Sequence, residues 1–209
     1  MKLLSTHNLK KMCLAATAII AMATATAQDK VPYAPQSLDE AVNTPYIKDN
    51  KSRNAIANYQ TQQAHILSED RNLNVLLTRN QEVIIITIPA DQLFEINSSR
   101  LTRDGERMLK PYASLLRTPD YYRMALAMYH DNNGSPSYCK KVTDERLQSV
   151  YDWFVLNANE EHVSAFSFGS ADPVKPNNSI RNRRMNRRLE IYLIPGNMMI
   201  EQAKKNLLR

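Results

Sequence analysis

The run Val83-Ile84-Ile85-Ile86-Thr87-Ile88 restricts the fold of this chain more than any other stretch. Six β-branched residues in succession favour extended backbone over helix. A strand so nearly apolar has no face to give to water, so both of its faces should be buried. Pro89 stops it by removing a ladder donor. Leu73 to Thr78 is a second β-rich run, and the polar Arg79-Asn80-Gln81 between the two reads as the turn of a hairpin.

Beyond that strand the periodicity alternates. Leu101, Met108, Leu109, Tyr112 and Leu116 recur at helical spacing, with Thr102 placed to cap the helix start. Met124, Leu126 and Met128 alternate with Ala125, Ala127 and Tyr129 as a strand, and residues 131–137 carry loop chemistry. A long helix is predicted from about Tyr138 to Leu156, a strand from Val163 to Phe168 and a loop from Gly169 to Ser179. A last strand runs through Leu189, Ile191 and Leu193 to Pro195. This order makes an α+β fold, a β-α-β-α-β-β sandwich with two main helices packed on one face of a mixed sheet. Ahead of it, residues 28–50 hold Pro32, Pro35 and Pro45 among polar residues and read as an extended leader. Ile56, Tyr59, Ile66 and Leu67 mark a modest helical stripe.

The first residues set the compartment. Lys2, Lys10 and Lys11 precede an apolar run from Met12 to Ala23, and Ala25-Thr26-Ala27 offers a small-residue cleavage site. These features predict a secretory signal over residues 1–27, too short in its apolar run for an ordinary spanning helix. The alternative is an uncleaved inner-membrane anchor, as in a stator-type envelope protein. Removing 1–27 takes away three of the 27 basic residues and none of the 21 acidic ones, so the formal charge falls from +6 to +3. That modest balance gives no reason to invoke nucleic acid. Cys13 lies inside the signal, so Cys139 is the one thiol left and an intrachain disulfide is excluded.

Chemistry-bearing residues are few. Arg146 falls inside the apolar arc of Val142, Val150, Trp153 and Phe154, where a charge must be paired or line a pocket. Snorkelling outward at a helix edge is the other reading, and spacing alone does not separate the two. Asp131 stands where a strand hands over to a loop, a position that by itself reads first as a turn-forming Asp bonded to its own backbone. Arg181, Arg183, Arg184, Arg187 and Arg188 crowd eight residues, either as a solvated basic loop or as forked donors for carboxylates. No nucleophile elbow, phosphate-cradling Gly loop or zinc-ligand spacing occurs, so neither an enzyme nor a cofactor or metal is expected.

These signals coincide in residues 82–194, which resemble the OmpA-like domain. The resemblance is carried by Ile88-Pro89-Ala90-Asp91-Gln92-Leu93-Phe94 with Asn97-Ser98-Ser99-Arg100-Leu101-Thr102, by His130-Asp131-Asn132-Asn133-Gly134 and by Val142-Thr143-Asp144-Glu145-Arg146. Phe168-Gly169, Pro173 and Asn177 continue it, and Arg183-Arg184-Met185-Asn186-Arg187-Arg188-Leu189-Glu190-Ile191 close it. It implies non-covalent binding of peptidoglycan through the diaminopimelate of its peptide stem. Asp131 would hold the free amino group and Arg146 the carboxylate, with Arg187, Asn186 and Asn97 in support. Where the family has a Gly-His-Thr sequence, this chain has Met128-Tyr129-His130. Cys139 replaces an Asn and Leu147 an Ala, so bulkier groups are expected around the pocket. The implied organisation is a signal over 1–27, an extension over 28–80 able to meet an outer-membrane or envelope protein, the domain over 81–195 and a tail over 196–209. The expected location is the periplasm, at the cell wall.

Overall fold

A computed structural model describes residues 35–71, 74–118, 120–158 and 160–208. The signal segment and the first strand residue, Leu73, lie outside them. The described chain belongs to one compact unit spanning Ala34–Arg209.

Five strands make one mixed sheet: β1 (Asn74–Thr78), β2 (Val83–Pro89), β3 (Tyr122–Tyr129), β4 (Val163–Gly169) and β5 (Arg188–Pro195), in the order β1-β2-β5-β3-β4. Only β3 and β4 run parallel; the other neighbours are antiparallel. The all-apolar run is β2, between β1 and β5, and Val83, Ile84, Ile86 and Ile88 are each fully buried. Ile85 and Thr87 are half-buried, so one face of this strand is closed and the other only partly. Arg79, Asn80 and Gln81 all take positive φ at the hairpin turn.

Three long helices cover one face of the sheet: α2 (Asn50–Arg71), α4 (Arg103–Leu115) and α5 (Pro136–Asn157). Side-chain caps start all three, Asp49 Oδ2 accepting from Ser52 N at the start of α2. Thr102 Oγ1 accepts from Gly105 N, and Ser135 Oγ accepts from Tyr138 N with Pro136 in the first turn. Between β2 and α4 lies the one-turn α3 (Ala90–Leu93). The core under these helices joins Ile84, Ile86 and Ile88 to Leu109, Tyr112, Val150 and Phe154.

The described part of the N-terminal extension, from residue 35 on, is part of this unit. Residues 38–43, expected to be extended, form α1 (Leu38–Asn43), capped by Ser37, and Ala41 packs on Val83, Ala125 and Ile194 of the opposite sheet face. In α2 the buried row is Ser52, Ile56, Gln60 and Ala64, while Ile66, expected in the stripe, is exposed. Four-residue spacing puts one row on one face whether its members are apolar or polar. Gln60 can be buried because both ends of its amide are bonded, to Glu82 O at 3.0 Å and to Tyr122 Oη at 2.9 Å. Arg79 pairs with Glu82 and donates to Val42 O at 2.7 Å, and Arg53 pairs with the other Glu82 oxygen at 2.8 Å. The buried Glu82 thereby ties residues 42–53 to the hairpin.

Two further helices were not legible as such: α6 (Ile180–Asn186), within the expected basic loop, and α7 (Asn197–Lys204), within the expected tail. Met199, Ile200 and Ala203 of α7 are buried in the core. The chain enters α7 by a close approach of Gly196 to Asp120 O.

Gly105 sets how near α4 lies to the segment leading into it. A Cβ there would fall 2.3 Å from Leu93 O. Backbone cannot yield as a flexible side chain can, so Gly105→Ala is expected to cost about 1–3 kcal/mol. Chemical denaturation of the variant beside the parent measures it.

Candidate functional site

Asp131 follows the C-terminal end of β3, and its carboxylate is 1% exposed. Two donors hold it: Asn133 N reaches Oδ1 at 2.9 Å and Arg187 Nη1 pairs with Oδ2, while His130 Nδ1 hydrogen-bonds the Asp131 backbone O at 2.9 Å and lies 3.2 Å from Oδ1. Arg187 stands at the junction of α6 and β5, and its O accepts from Ala90 N at 2.9 Å. One ion pair therefore joins the end of β3, the start of β5 and the end of β2.

Arg146 comes from the middle of α5, half-buried. Its Nε donates to Ser98 O at 3.1 Å, and its guanidinium lies over the Phe94 ring, 5.1 Å from the centroid. Burial, reinforced by the charge of Arg187, pushes its pKa below the ordinary arginine value. Ser98 belongs to a short excursion closed by the Phe94–Leu101 bridge and by Thr102 N donating to Leu93 O at 2.8 Å. Asn97 turns it with φ 53°, a conformation Asn tolerates better than most residues.

These parts enclose an open cavity of about 630 Å³, lined by Asp131, His130, Arg146, Arg187, Asn97, Phe94, Tyr138 and Val142 among others. Tyr138, Val142 and Arg146 form a four-residue-spaced row on α5, the signal that could have added the first two to the expected set. Both signs of charge meet at the wall. Glu95 is paired with Arg100 and Asp91 with Arg184, while Arg146 and the Asp131–Arg187 pair also line the cavity. Such a site suits a zwitterionic group better than a simple anion or cation.

Of the five expected site residues, the structure brings Asp131, Arg146, Arg187 and Asn97 together. Asn186 does not line the cavity. Fully buried, it accepts from Lys175 N at 2.9 Å and donates to Lys175 O and Asn177 Oδ1 at 2.8 Å. Its amide fixes the loop before α6, because a buried amide needs partners on both sides.

The basic cluster also separates. Arg183 donates to Asn177 O at 3.0 Å, Arg184 binds Asp91, and Arg188 turns to the other side of the sheet. There its guanidinium stacks 3.8 Å above the Tyr129 ring centroid and pairs with Glu190 at 2.8 Å. Burial, with the nearby Glu190 carboxylate, pushes the Tyr129 hydroxyl up to about 12.

Among the residues expected to narrow the pocket, only His130 lines it. Met128 and Leu147 are core residues. Cys139 is fully buried behind the loop, its Sγ 3.4 Å from Asp131 O.

Residues 93–187 match the OmpA family. The lipoprotein YiaD of Escherichia coli K12 is 24% identical over 135 residues, 64% of this chain and 62% of that protein. Outer membrane protein A of Serratia marcescens is 32% identical over 94 residues, 44% of this chain but 26% of its own length. The chain thus spans less than two thirds of each of these relatives. The fold is that of a MotB-like protein from Desulfovibrio vulgaris, with a TM-score of 0.60, 20% identity, and coverage of 69% of this chain and 95% of that one. It is shared with the cell wall anchor of the type VI secretion system from Pseudomonas aeruginosa, with a TM-score of 0.52, 21% identity, and coverage of 67% and 96%.

The position of Cys139 gives a direct check on the loop. Burial, and next the Asp131 charge, push its thiol above the usual range, so the reactive thiolate is scarce. Alkylation under native conditions should be slow and should accelerate strongly in denaturant. Rapid native labelling would show that the 131–135 loop opens away from α5.

Proposed function

We propose that this cavity binds the peptide stem of peptidoglycan, taking the zwitterionic end of its diaminopimelate residue. The observation that supports this most is that a buried carboxylate, Asp131, and a half-buried guanidinium, Arg146, line one cavity. A free ammonium needs an oriented carboxylate, and the Asn133 amide and Arg187 orient that of Asp131. A carboxylate has about four acceptor positions. Two donors, Asn133 N and Arg187, occupy the Asp131 carboxylate, which leaves about two positions for the ligand or more if Arg187 swings aside. Arg187 is 30% exposed at its side chain, which gives it room to do so and to meet the ligand's carboxylate beside Arg146.

A signal-bearing chain with this site would act in the periplasm, anchoring an envelope component to the wall without catalysis. The solvent-facing side of α2 is what the extension leaves for an outer-membrane or envelope partner, since its other side is spent on the core. Retention of residues 1–27 as an inner-membrane anchor is the second topology compatible with this site.

Arg146 is the residue whose loss separates binding from folding. Apart from its ring contact, the polar contact seen for its side chain is the one to Ser98 O. Arg146→Ala should therefore melt within about 0.5 kcal/mol of the parent. It should also lose about 2–5 kcal/mol of ligand binding, a drop of roughly 30-fold or more in affinity. Asp131→Asn should lose binding as well and melt lower, because Arg187 would lose its ion pair. Sedimentation with purified sacculi, run beside thermal melts, measures both. Arg146→Ala sedimenting like the parent would refute the assignment.

A further inference from the structure

A second concavity, of about 260 Å³, opens between α4 and the C-terminal half of α5, lined by Arg103, Arg107, Lys110, Arg117, Trp153 and Glu106 among others. Arg103, Lys110 and Arg117 repeat every seven residues along α4 and just beyond its end, a spacing that drifts only ~20° per step around a helix. Arg107 joins the row and is balanced by Asp104. Among the described residues, the side chains of the other three cations have no hydrogen bond or ion pair, and Glu106 brings a single carboxylate.

Arg103 sits in the first turn of α4, where the helix dipole disfavours a cation. A row of cations that lacks structural partners and faces a recess has the character of a ligand surface. Trp153 adds a second element, a half-buried ring packed edge-on against Phe154 with centroids 5.3 Å apart. Its π-face is electronegative and complements the weakly positive C–H face of a sugar ring, while guanidinium forks complement carboxylate or phosphate. A lipid surface would require an outward apolar face rather than a recess.

We infer that the groove between α4 and α5 binds an anionic saccharide, a ring sugar carrying carboxylate or phosphate, stacked on Trp153 and held by Arg103, Lys110 and Arg117. The groove is distinct from the cavity around Asp131. Trp153 lies seven residues beyond Arg146 on α5, about 10 Å along the helix and on nearly the same side. A wall polymer held in the first cavity could thus reach the second.

Trp153 is the only tryptophan in the chain, so its fluorescence reports this groove directly. Titration of the full chain with a carboxylated oligosaccharide, oligogalacturonate, should change Trp153 emission saturably, and added salt should weaken the response. The triple variant Arg103→Ser, Lys110→Ser, Arg117→Ser should bind at least tenfold more weakly with an unchanged melt. If it fails to fold, Lys110→Glu alone should still lower affinity severalfold. Arg146→Ala should respond like the parent, which keeps this test separate from that of the first cavity. An equal response to neutral chito-oligosaccharide would overturn the inference. So would parent-like binding by the charge variants, no response at all, or a response confined to anionic phospholipid vesicles.

Discussion

The pairing of Arg187 with a carboxylate that water hardly reaches is the interaction on which the site depends. Leaving Asp131 at 1% exposure without a counter-charge would be costly, so the end of β3 must stay where Arg187 can meet it. Arg187 is fixed in turn from both sides, by the α6 turn that precedes it and by Ala90 N on its carbonyl. β3 and β5 are neighbours in the sheet, and the ion pair carries their register into the loops beyond. The cavity is accordingly built at strand ends, where backbone directions are set by the sheet and side chains remain free to serve a ligand.

Most of the scaffold could be read from the sequence because its signals are local. The β-branched run, the Thr102 cap and the apolar rows of α4 and α5 each follow from spacing within a few residues. What stayed hidden depended on tertiary partners. Residues 180–186 carry five arginines or asparagines around Met185 and show no apolar stripe, so α6 is held by the Ser179 cap and by contacts of Arg183, Arg184 and Asn186 outside it. Ser52 and Gln60 occupy core positions on α2 because distant polar atoms satisfy them, which no periodicity rule counts. The three prolines ahead of α2 likewise gave no sign of α1, whose apolar side is defined only by the sheet face it covers.

The site was legible to a similar degree. Arg146 stood out as a charge among apolar neighbours, and the structure explains it by the cavity, the Phe94 ring and Ser98 O. Asp131 by itself reads first as a turn residue, and it is in fact both: Asn133 N caps one oxygen as in an Asx turn, while Arg187 holds the other. The basic cluster misled by looking like one feature. Its arginines serve different ends, and Arg188 lies on the opposite side of the sheet from the cavity's chemistry. The match of residues 93–187 to the OmpA family agrees with this frame of strand ends and loops.

The central claim is that the cavity reads a zwitterion, an ammonium and a carboxylate together. Calorimetric titration of the full chain with two stem peptides tests it most directly, one containing diaminopimelate and the other lysine at that position. Lysine keeps the ammonium and lacks the carboxylate that Arg146 would hold. The account requires saturable binding of the diaminopimelate peptide and a loss of about 2–5 kcal/mol, roughly 30-fold or more, for the lysine peptide. Equal affinity for the two peptides, or no binding of either, would contradict it.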